Sequence, residues 1–465
     1  MDEIKKNLRI VFGVFFVLFF GLVVYLGYFW WDRSEVLANS SLNPRVRLAP
    51  SGIRRGDILD RHGVVLAHSV ADETGGFQRI YPYGRAFAHV VGYTGMSHAG
   101  IEERYNIRLS NLSWEMYQRL RGIALEGEVL QGDGLQLTLD AALQNYIYQR
   151  LGTHTGSVVV LEPTTGKVRA MVSNPTFDPN TVAQDWQGLI QDTGGRPLIN
   201  RSAQGLYPPG STFKILTAAA AIDQGLEAFV YEDTGSITLE GHTIRNFNSV
   251  PHGTLDLTEA FARSSNTYFV ALADEMGVET YVAQVSNMFR QADFVLANNT
   301  SQFNLTADAP LADLMQTAMG QGQTLVTPLF MANLVGAIAG EGYLMRPQLV
   351  YQVLDHRGEG RVIFQPQREG RLFSNDQVVV LKELMTEVVR SGTGQNAALA
   401  NGIQLAGKTG TAENEAGDSH GWFVGFAPAE NPQYVIVVML EHSGGTGPVL
   451  PMVRDILNFA FTTSY

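Results

Sequence analysis

From Ile10 to Trp31 the chain runs without a single charged residue. As a helix this segment spans roughly 33 Å, which matches the hydrocarbon core of a bilayer. A soluble helix of that length would carry a polar face. A cleaved export signal would have a shorter apolar core, soon followed by a small-x-small site. The sequence has neither, so the expectation is a retained, single-pass membrane anchor. Lys5, Lys6 and Arg9 flank the start of the run, and Asp32 is the first charge beyond it. The positive-inside bias therefore leaves residues 1–9 in the cytoplasm and everything after Trp31 outside. Tyr25, Tyr28, Phe29, Trp30 and Trp31 crowd the outer end, as amphipathic rings do at a membrane interface.

The remainder reads as globular, because the whole chain is 45% apolar and only 17% charged. At 465 residues, two or three folded units are expected. The net charge of -12 is the wrong sign for a nucleic-acid partner. There are no cysteines, which removes disulfides and thiolate metal sites. The ten histidines are scattered without ligand spacing, so neither a metal nor a cofactor is expected.

Beyond the anchor, residues 32–52 are polar and read as a linker or entry segment. Arg54 to Ala67 alternates around His62-Gly63, which predicts a β-hairpin. Gly132-Asp133-Gly134 opens a further strand reading LQLTLD. The region to residue 150 is expected to be a small, irregular extracytoplasmic module without chemistry of its own. From about residue 151 the texture changes. Ser157–Leu161 and Lys167–Val172 are strands joined by the turn signal Pro163-Thr164-Thr165-Gly166. A helix-rich centre comes next, with an alanine-rich helix over 211–223 and another over 329–338. Strands return at 421–426 and 434–440, before a final helix over 453–461. Strands at both ends with helices between them predict one sheet, assembled from distant segments and covered by helices, in a chain of the α+β type.

Three short motifs carry the chemistry. The first is Ser211-Thr212-Phe213-Lys214, preceded by Pro208-Pro209-Gly210. The proline-glycine turn cannot be helical, whereas the alanine-rich segment after it is a strong helix former, so Ser211 is expected at a helix N-terminus. Lys214 then lies one turn on, on the same face. A serine hydroxyl needs a base to become a nucleophile, and a lysine serves once burial and nearby cations lower its pKa. Alone the SxxK pattern is weak, since a chain of this length holds on the order of one or two by chance. The second motif is Ser264-Ser265-Asn266, on a helical segment expected over 257–272. Ser264 offers a second hydroxyl to relay the proton, and Asn266 an amide for a substrate carbonyl. Most Ser-x-Asn triplets are only caps or turns. The third is Lys408-Thr409-Gly410-Thr411, expected on a strand edge paired with the segment around Trp422 and Phe423. It presents a cation, two hydroxyls and a glycine that lets a substrate approach. The cation can bind a substrate carboxylate or help keep Lys214 neutral. The backbone N–H groups of Ser211 and Thr411 are candidates for an oxyanion hole.

Taken in this order, separated by about 50 and then about 140 residues, SxxK, SxN and KTG form the set shared by penicillin-binding proteins and serine β-lactamases. The likeness goes further. YPPGSTFK (207–214) with Asn200-Arg201 before it, RGDILDRHG (55–63), HGWFVGFAP (420–428) and the hairpin at 158–180 resemble the corresponding segments of class B penicillin-binding proteins, and the likeness covers almost the whole chain. That resemblance implies an anchored module followed by a penicillin-binding domain, residues 151–465, with a central antiparallel five-stranded sheet flanked by helices. Residues 32–150 would be a compact pedestal. The implied activity is peptidoglycan D,D-transpeptidation, open to covalent inhibition by β-lactam antibiotics. Ser211 would attack the penultimate D-Ala carbonyl of a stem peptide on a lipid II-derived glycan strand. The acyl group would then pass to an amine of a neighbouring stem. Lys214 would be the acylation base and Ser264 a proton relay. Asn266, Lys408, Thr409, Gly410 and Thr411 would hold the substrate.

Two relatives of the same chemistry compete with this reading. A serine β-lactamase shares the first and third motifs but is usually small, secreted and free of an anchored module. A membrane β-lactam sensor needs a cytoplasmic output unit, and only nine residues precede the anchor. The bifunctional class A enzymes carry a glycosyltransferase domain, for which the roughly 120 residues between anchor and catalytic domain are too few. The resemblance therefore implies a separate polymerase partner of the SEDS family.

Overall fold

The computed structural model describes residues 2–38, 53–73, 75–95, 97–110, 130–400, 402–414 and 417–463. The anchor is one helix, Asp2–Ala38, whose apolar side chains from Leu8 to Trp31 are all exposed. It is long and apolar enough to cross a membrane. The helix continues past Trp31, so the first part of the expected linker is helical; the rest, from residue 39, lies outside the described residues.

The centre of the chain is a five-stranded antiparallel sheet in the order Ala406–Asn414, Gly417–Ala427, Tyr434–Leu440, Gly156–Leu161, Val168–Asn174. Its inner strands Tyr434–Leu440 and Gly156–Leu161 are buried along their whole length and read as mainly apolar runs, because both faces are covered. Alternate side chains go to different cores. Val159, Leu161, Val435, Val437, Trp422 and Val424 face the helix-rich centre, which includes the wholly buried helix Pro328–Ala339. Val158, Val160, Ile436, Val438 and Phe423 face the helices Ala141–Leu151 and Val449–Thr463. The period of two along each strand thus assigns residues to layers. The strand Ala406–Asn414 is at the edge, in register Lys408↔Val424, Thr409↔Phe423, Gly410↔Trp422 and Thr411↔Gly421.

The expected hairpin forms between Ile58–Leu59 and Val65–Ala71. Asp60 closes its turn by accepting from the N–H groups of His62 and Val64, and reaches the start of the 141–151 helix at Ala141 N–H. The hairpin belongs to a six-stranded sheet that includes Gly134–Leu137. The sheet is completed by Val350–Leu354 and Gly360–Ile363, which return from far along the chain. Under it, Arg55 and Arg79 clamp the fully buried carboxylate of Glu102 at 2.5 and 2.7 Å. Burial alone would raise that acid, but the two guanidiniums hold it down at about 2.

Candidate active site

Gly210 has a left-handed φ of +54°, which the turn before Ser211 requires. Its N–H donates to Gly320 O at 2.9 Å, and its α-carbon rests on the edge strand, where a Cβ would come within 2.6 Å of Thr411 O. Ser211 lies in a 3₁₀ turn, Gly210–Phe213, that runs directly into the helix Lys214–Asp223. The helix start is therefore tighter than expected, and Thr212 Oγ1 closes it by donating to Pro209 O. The preceding segment is tied to the sheet. Trp422 Nε1 donates to Pro208 O, and Glu441 accepts from both Tyr207 Oη at 2.7 Å and Arg201 Nε at 2.8 Å. Ser211 itself is half-buried, and its hydroxyl has no hydrogen-bond partner among the described residues.

The second motif does not lie within one helix. Leu257–Arg263 ends at Ser264, which adopts a left-handed conformation (φ 59°, ψ 39°), and a new helix starts at Asn266. Ser265 caps that helix by accepting from Tyr268 N–H. The break turns Ser264 and Asn266 together towards the first motif. Lys214 Nζ, fully buried, donates to Ser264 O and Asn266 Oδ1, each at 2.7 Å, and to Ser264 Oγ at 3.4 Å. Lys408, also fully buried, reaches the same hydroxyl from the edge strand, with Nζ 2.9 Å from Ser264 Oγ. Segments about 50 and 140 residues apart thus meet at one oxygen atom.

Two buried lysines with no carboxylate in contact among the described residues are costly as cations, and shedding the proton relieves that cost. Burial drives Lys214 well below its usual range, the Lys408 cation adds to this, and the Asp233 carboxylate opposes it. Burial pushes Lys408 down to about 7. Each ammonium also sits over an aromatic face, Lys214 on Phe269 and Lys408 on Phe261, both at 5.4 Å. Of the remaining predicted residues, Thr409 is buried with its hydroxyl engaged by Thr393, whereas Thr411 is exposed on the same strand. Gly410 faces Thr212 and Pro209, where a Cβ would lie 2.8 Å from the Thr212 methyl.

Sequence reasoning passed over several contributors. Asp233 and Asn246 brace the Ser264–Asn266 turn from beneath, Gly320 holds Gly210, and Glu441 holds Tyr207 and Arg201. Arg201 and Tyr207 were visible only as residues near the first motif. Asp233, Asn246 and Glu441 sit in no pattern and are found only by contact.

Comparison with known proteins places the chain among peptidoglycan enzymes. Residues 156–458 match the penicillin binding protein transpeptidase domain, and 55–134 the penicillin binding protein A dimerisation domain. The peptidoglycan D,D-transpeptidase PbpA of Mycolicibacterium smegmatis is 32% identical over 434 residues, covering 86% of this chain and 87% of the relative. Among solved structures, the D,D-transpeptidase domain of a peptidoglycan glycosyltransferase from Eggerthella lenta superposes with a TM-score of 0.80 at 32% identity, over 88% of this chain and 99% of that one. The penicillin G acyl-enzyme of penicillin-binding protein A from Mycobacterium tuberculosis superposes with a TM-score of 0.79 at 30% identity, over 88% of this chain and 100% of that one.

Proposed function

The chain belongs to the penicillin-binding protein transpeptidase family, as a class B member, and from that membership we propose how its residues crosslink peptidoglycan. It is a serine-type peptidoglycan D,D-transpeptidase that β-lactams acylate, rather than a lactamase or a sensor. The observation that carries the assignment of residues is the convergence of Lys214, Ser264, Asn266 and Lys408, with Ser211 in the turn that leads into the helix starting at Lys214.

In this reading Ser211 Oγ attacks the penultimate D-Ala carbonyl of the donor stem while neutral Lys214 takes the hydroxyl proton. The N–H groups of Ser211 and Thr411 receive the developing oxyanion, a placement favoured by the close approach of Gly210 to Thr411. As the C–N bond breaks, the proton returns through Ser264 Oγ to the departing D-Ala amine. Ser264 is suited to this because both lysines contact its hydroxyl. An acceptor amine then attacks the ester, gives up a proton by the same route, and releases Ser211. Asn266 orients the donor amide, Lys408, Thr409 and Thr411 bind the terminal carboxylate, and Gly410 lets the substrate approach the edge strand. Incubation with a fluorescent penicillin, followed by intact mass, tests the assignment. A long-lived adduct that disappears in Ser211→Ala supports it, and an adduct that persists in Ser211→Ala overturns it.

The protein is a single-pass membrane protein. We propose further that residues 1–9 are cytoplasmic, 10–31 the anchor, 32–150 the pedestal and 151–465 the catalytic domain, with strands 350–354 and 360–363 lent back to the pedestal sheet and the helix Ala141–Leu151 lent forward to the catalytic core. The charges at Lys5, Lys6 and Arg9 support this orientation, and protease access to the catalytic domain from the outer face of spheroplasts would check it. A polytopic polymerase of the SEDS family is the proposed membrane partner, since crosslinking needs nascent glycan strands. Failure to co-purify with, or to stimulate, any such polymerase would count against it.

A further inference from the structure

Between the first and second motifs the chain leaves the helical layer and folds into two short ribbons. Tyr231–Asp233 pairs with Gly253–Leu255, and Ser236–Leu239 with His242–Arg245. Two side chains at the base of these ribbons are buried, Asp233 at 1% and Asn246 at 5% exposure. They form one network with the second motif. The Asp233 carboxylate accepts from Gly235 N–H, from Ser265 Oγ at 2.8 Å, and from Asn246 Nδ2 at 2.8 and 2.7 Å. Asn246 Oδ1 accepts from the backbone N–H groups of Asn266 at 2.8 Å and Thr267 at 3.2 Å. These are the first two amides of the helix Asn266–Met276, which no intrahelical carbonyl can satisfy. The amide of Asn266 then donates to Arg245 O at 2.9 Å and accepts from Lys214 Nζ.

Nothing in the ribbons touches the Ser211 hydroxyl. Yet the left-handed turn at Ser264 supplies both partners of Lys214, and a non-glycine residue keeps that conformation only where its surroundings impose it. We infer that Asp233 and Asn246 are positioning residues of the acylation step, which hold the Ser264–Asn266 turn in register with Lys214 through Ser265 and the first amides of the helix. The inference rests on the assignment of Ser211 and Lys214 given above. Asp233 has a second effect through its charge. Of the charged groups acting on Lys214, Lys408 from the edge strand depresses its pKa and Asp233 from the ribbon raises it. Asp233 itself stays ionised: burial works against this, but hydrogen bonds from Gly235, Ser265, Asn246 and Thr267 outweigh it.

The test uses the full-length protein in detergent and measures the second-order rate of acylation by a fluorescent penicillin between pH 5 and pH 10, with a thermal melt of each variant. Every group bonded to the Asp233 carboxylate donates a hydrogen bond, so the amide of Asp233→Asn turns its own N–H groups against donors. Both Asp233→Asn and Asn246→Ala are expected to acylate about 10- to 100-fold more slowly, the scale set by small misplacements of reacting groups. In Asp233→Asn the acid limb of the profile also moves to lower pH, because Lys214 loses the anion that stabilised its charged form. In Asn246→Ala the charge remains and the limb stays. Thr243→Ala, on an exposed face of the same ribbons, is expected to behave as the parent. Parental rates and midpoints in both variants would overturn the inference, as would rate losses that only track melting temperature with both midpoints unmoved. Should Asp233→Asn fail to fold, Ser265→Ala takes its place, and parental acylation in it and in Asn246→Ala would be equally decisive. An adduct persisting in Ser211→Ala would instead sink the underlying assignment, independently of the ribbon variants.

Discussion

Replacing Lys408 by methionine keeps most of the volume of a fully buried side chain while deleting its charge. The Nζ atoms of Lys408 and Lys214 lie 2.9 and 3.4 Å from the same Ser264 Oγ, so they are at most about 6 Å apart. At an effective dielectric of about 20, two unit charges at that distance repel by about 3 kcal/mol, or about 2 pKa units. Lys408 is pushed down to about 7 and is largely protonated below that pH. Its charge there adds to the burial that disfavours protonation of Lys214. In Lys408→Met the acid limb of penicillin acylation should therefore move up by about 2 units, with the parental limb belonging to the coupled pair rather than to either lysine. The plateau should fall as well, by about tenfold or more, because Ser264 Oγ loses a donor of the charged kind. Stopped-flow acylation against pH, with circular dichroism to confirm folding, measures both quantities. A midpoint that stays in place, or moves down, would refute the view that Lys408 acts on Lys214 through its charge.

Other consequences are as direct. In Gly320→Ala the new methyl would lie 1.8 Å from Gly210 O at a φ of +84°, so the Ser211 turn must shift; acylation should drop about 100-fold or more while the secondary structure persists by circular dichroism. Glu102 is held at about 2 against an ordinary value of 4.5, and it is fully buried, so its ionised form contributes about 3 kcal/mol to the pedestal. That contribution is present above pH 4.5 and is lost as pH falls towards 2. Denaturant titrations should accordingly show a deficit in Glu102→Gln at pH 7 that narrows at acid pH. Arg201→Lys keeps the charge but cannot keep the contacts to Glu441 Oε1, Gly195 O and Arg196 O together; a loss of about 1–3 kcal/mol in stability and slower acylation are expected from a melt and the penicillin assay.

Much of this protein was legible in its sequence because the signals are local and depend on residue type alone. An uncharged run as long as a bilayer is thick forms the helix Asp2–Ala38. Runs such as SVVVL and YVIVVML become strands buried on both faces. Gly210 turns where a proline-glycine pair predicts a turn, and the three motifs, picked out by order and spacing, hold the Lys214, Ser264, Asn266 and Lys408 that the fold brings into contact. Other features depend on which distant segments meet, and a linear sequence does not hold that information. The helix drawn through Ser264 breaks there because residues from separate ribbons meet the turn: Asn246 accepts from the amides of Asn266 and Thr267 that a continuous helix would have bonded internally, and Asp233 accepts from the Ser265 hydroxyl. Strands 350–363 cross back into the pedestal sheet because Gly134–Leu137 offers a free edge beside them. The acidity of Lys214 obeys the same rule. The sequence supplies the lysine, but its depressed pKa comes from complete burial and from a second cation brought close by the edge strand, and both are properties of the folded arrangement.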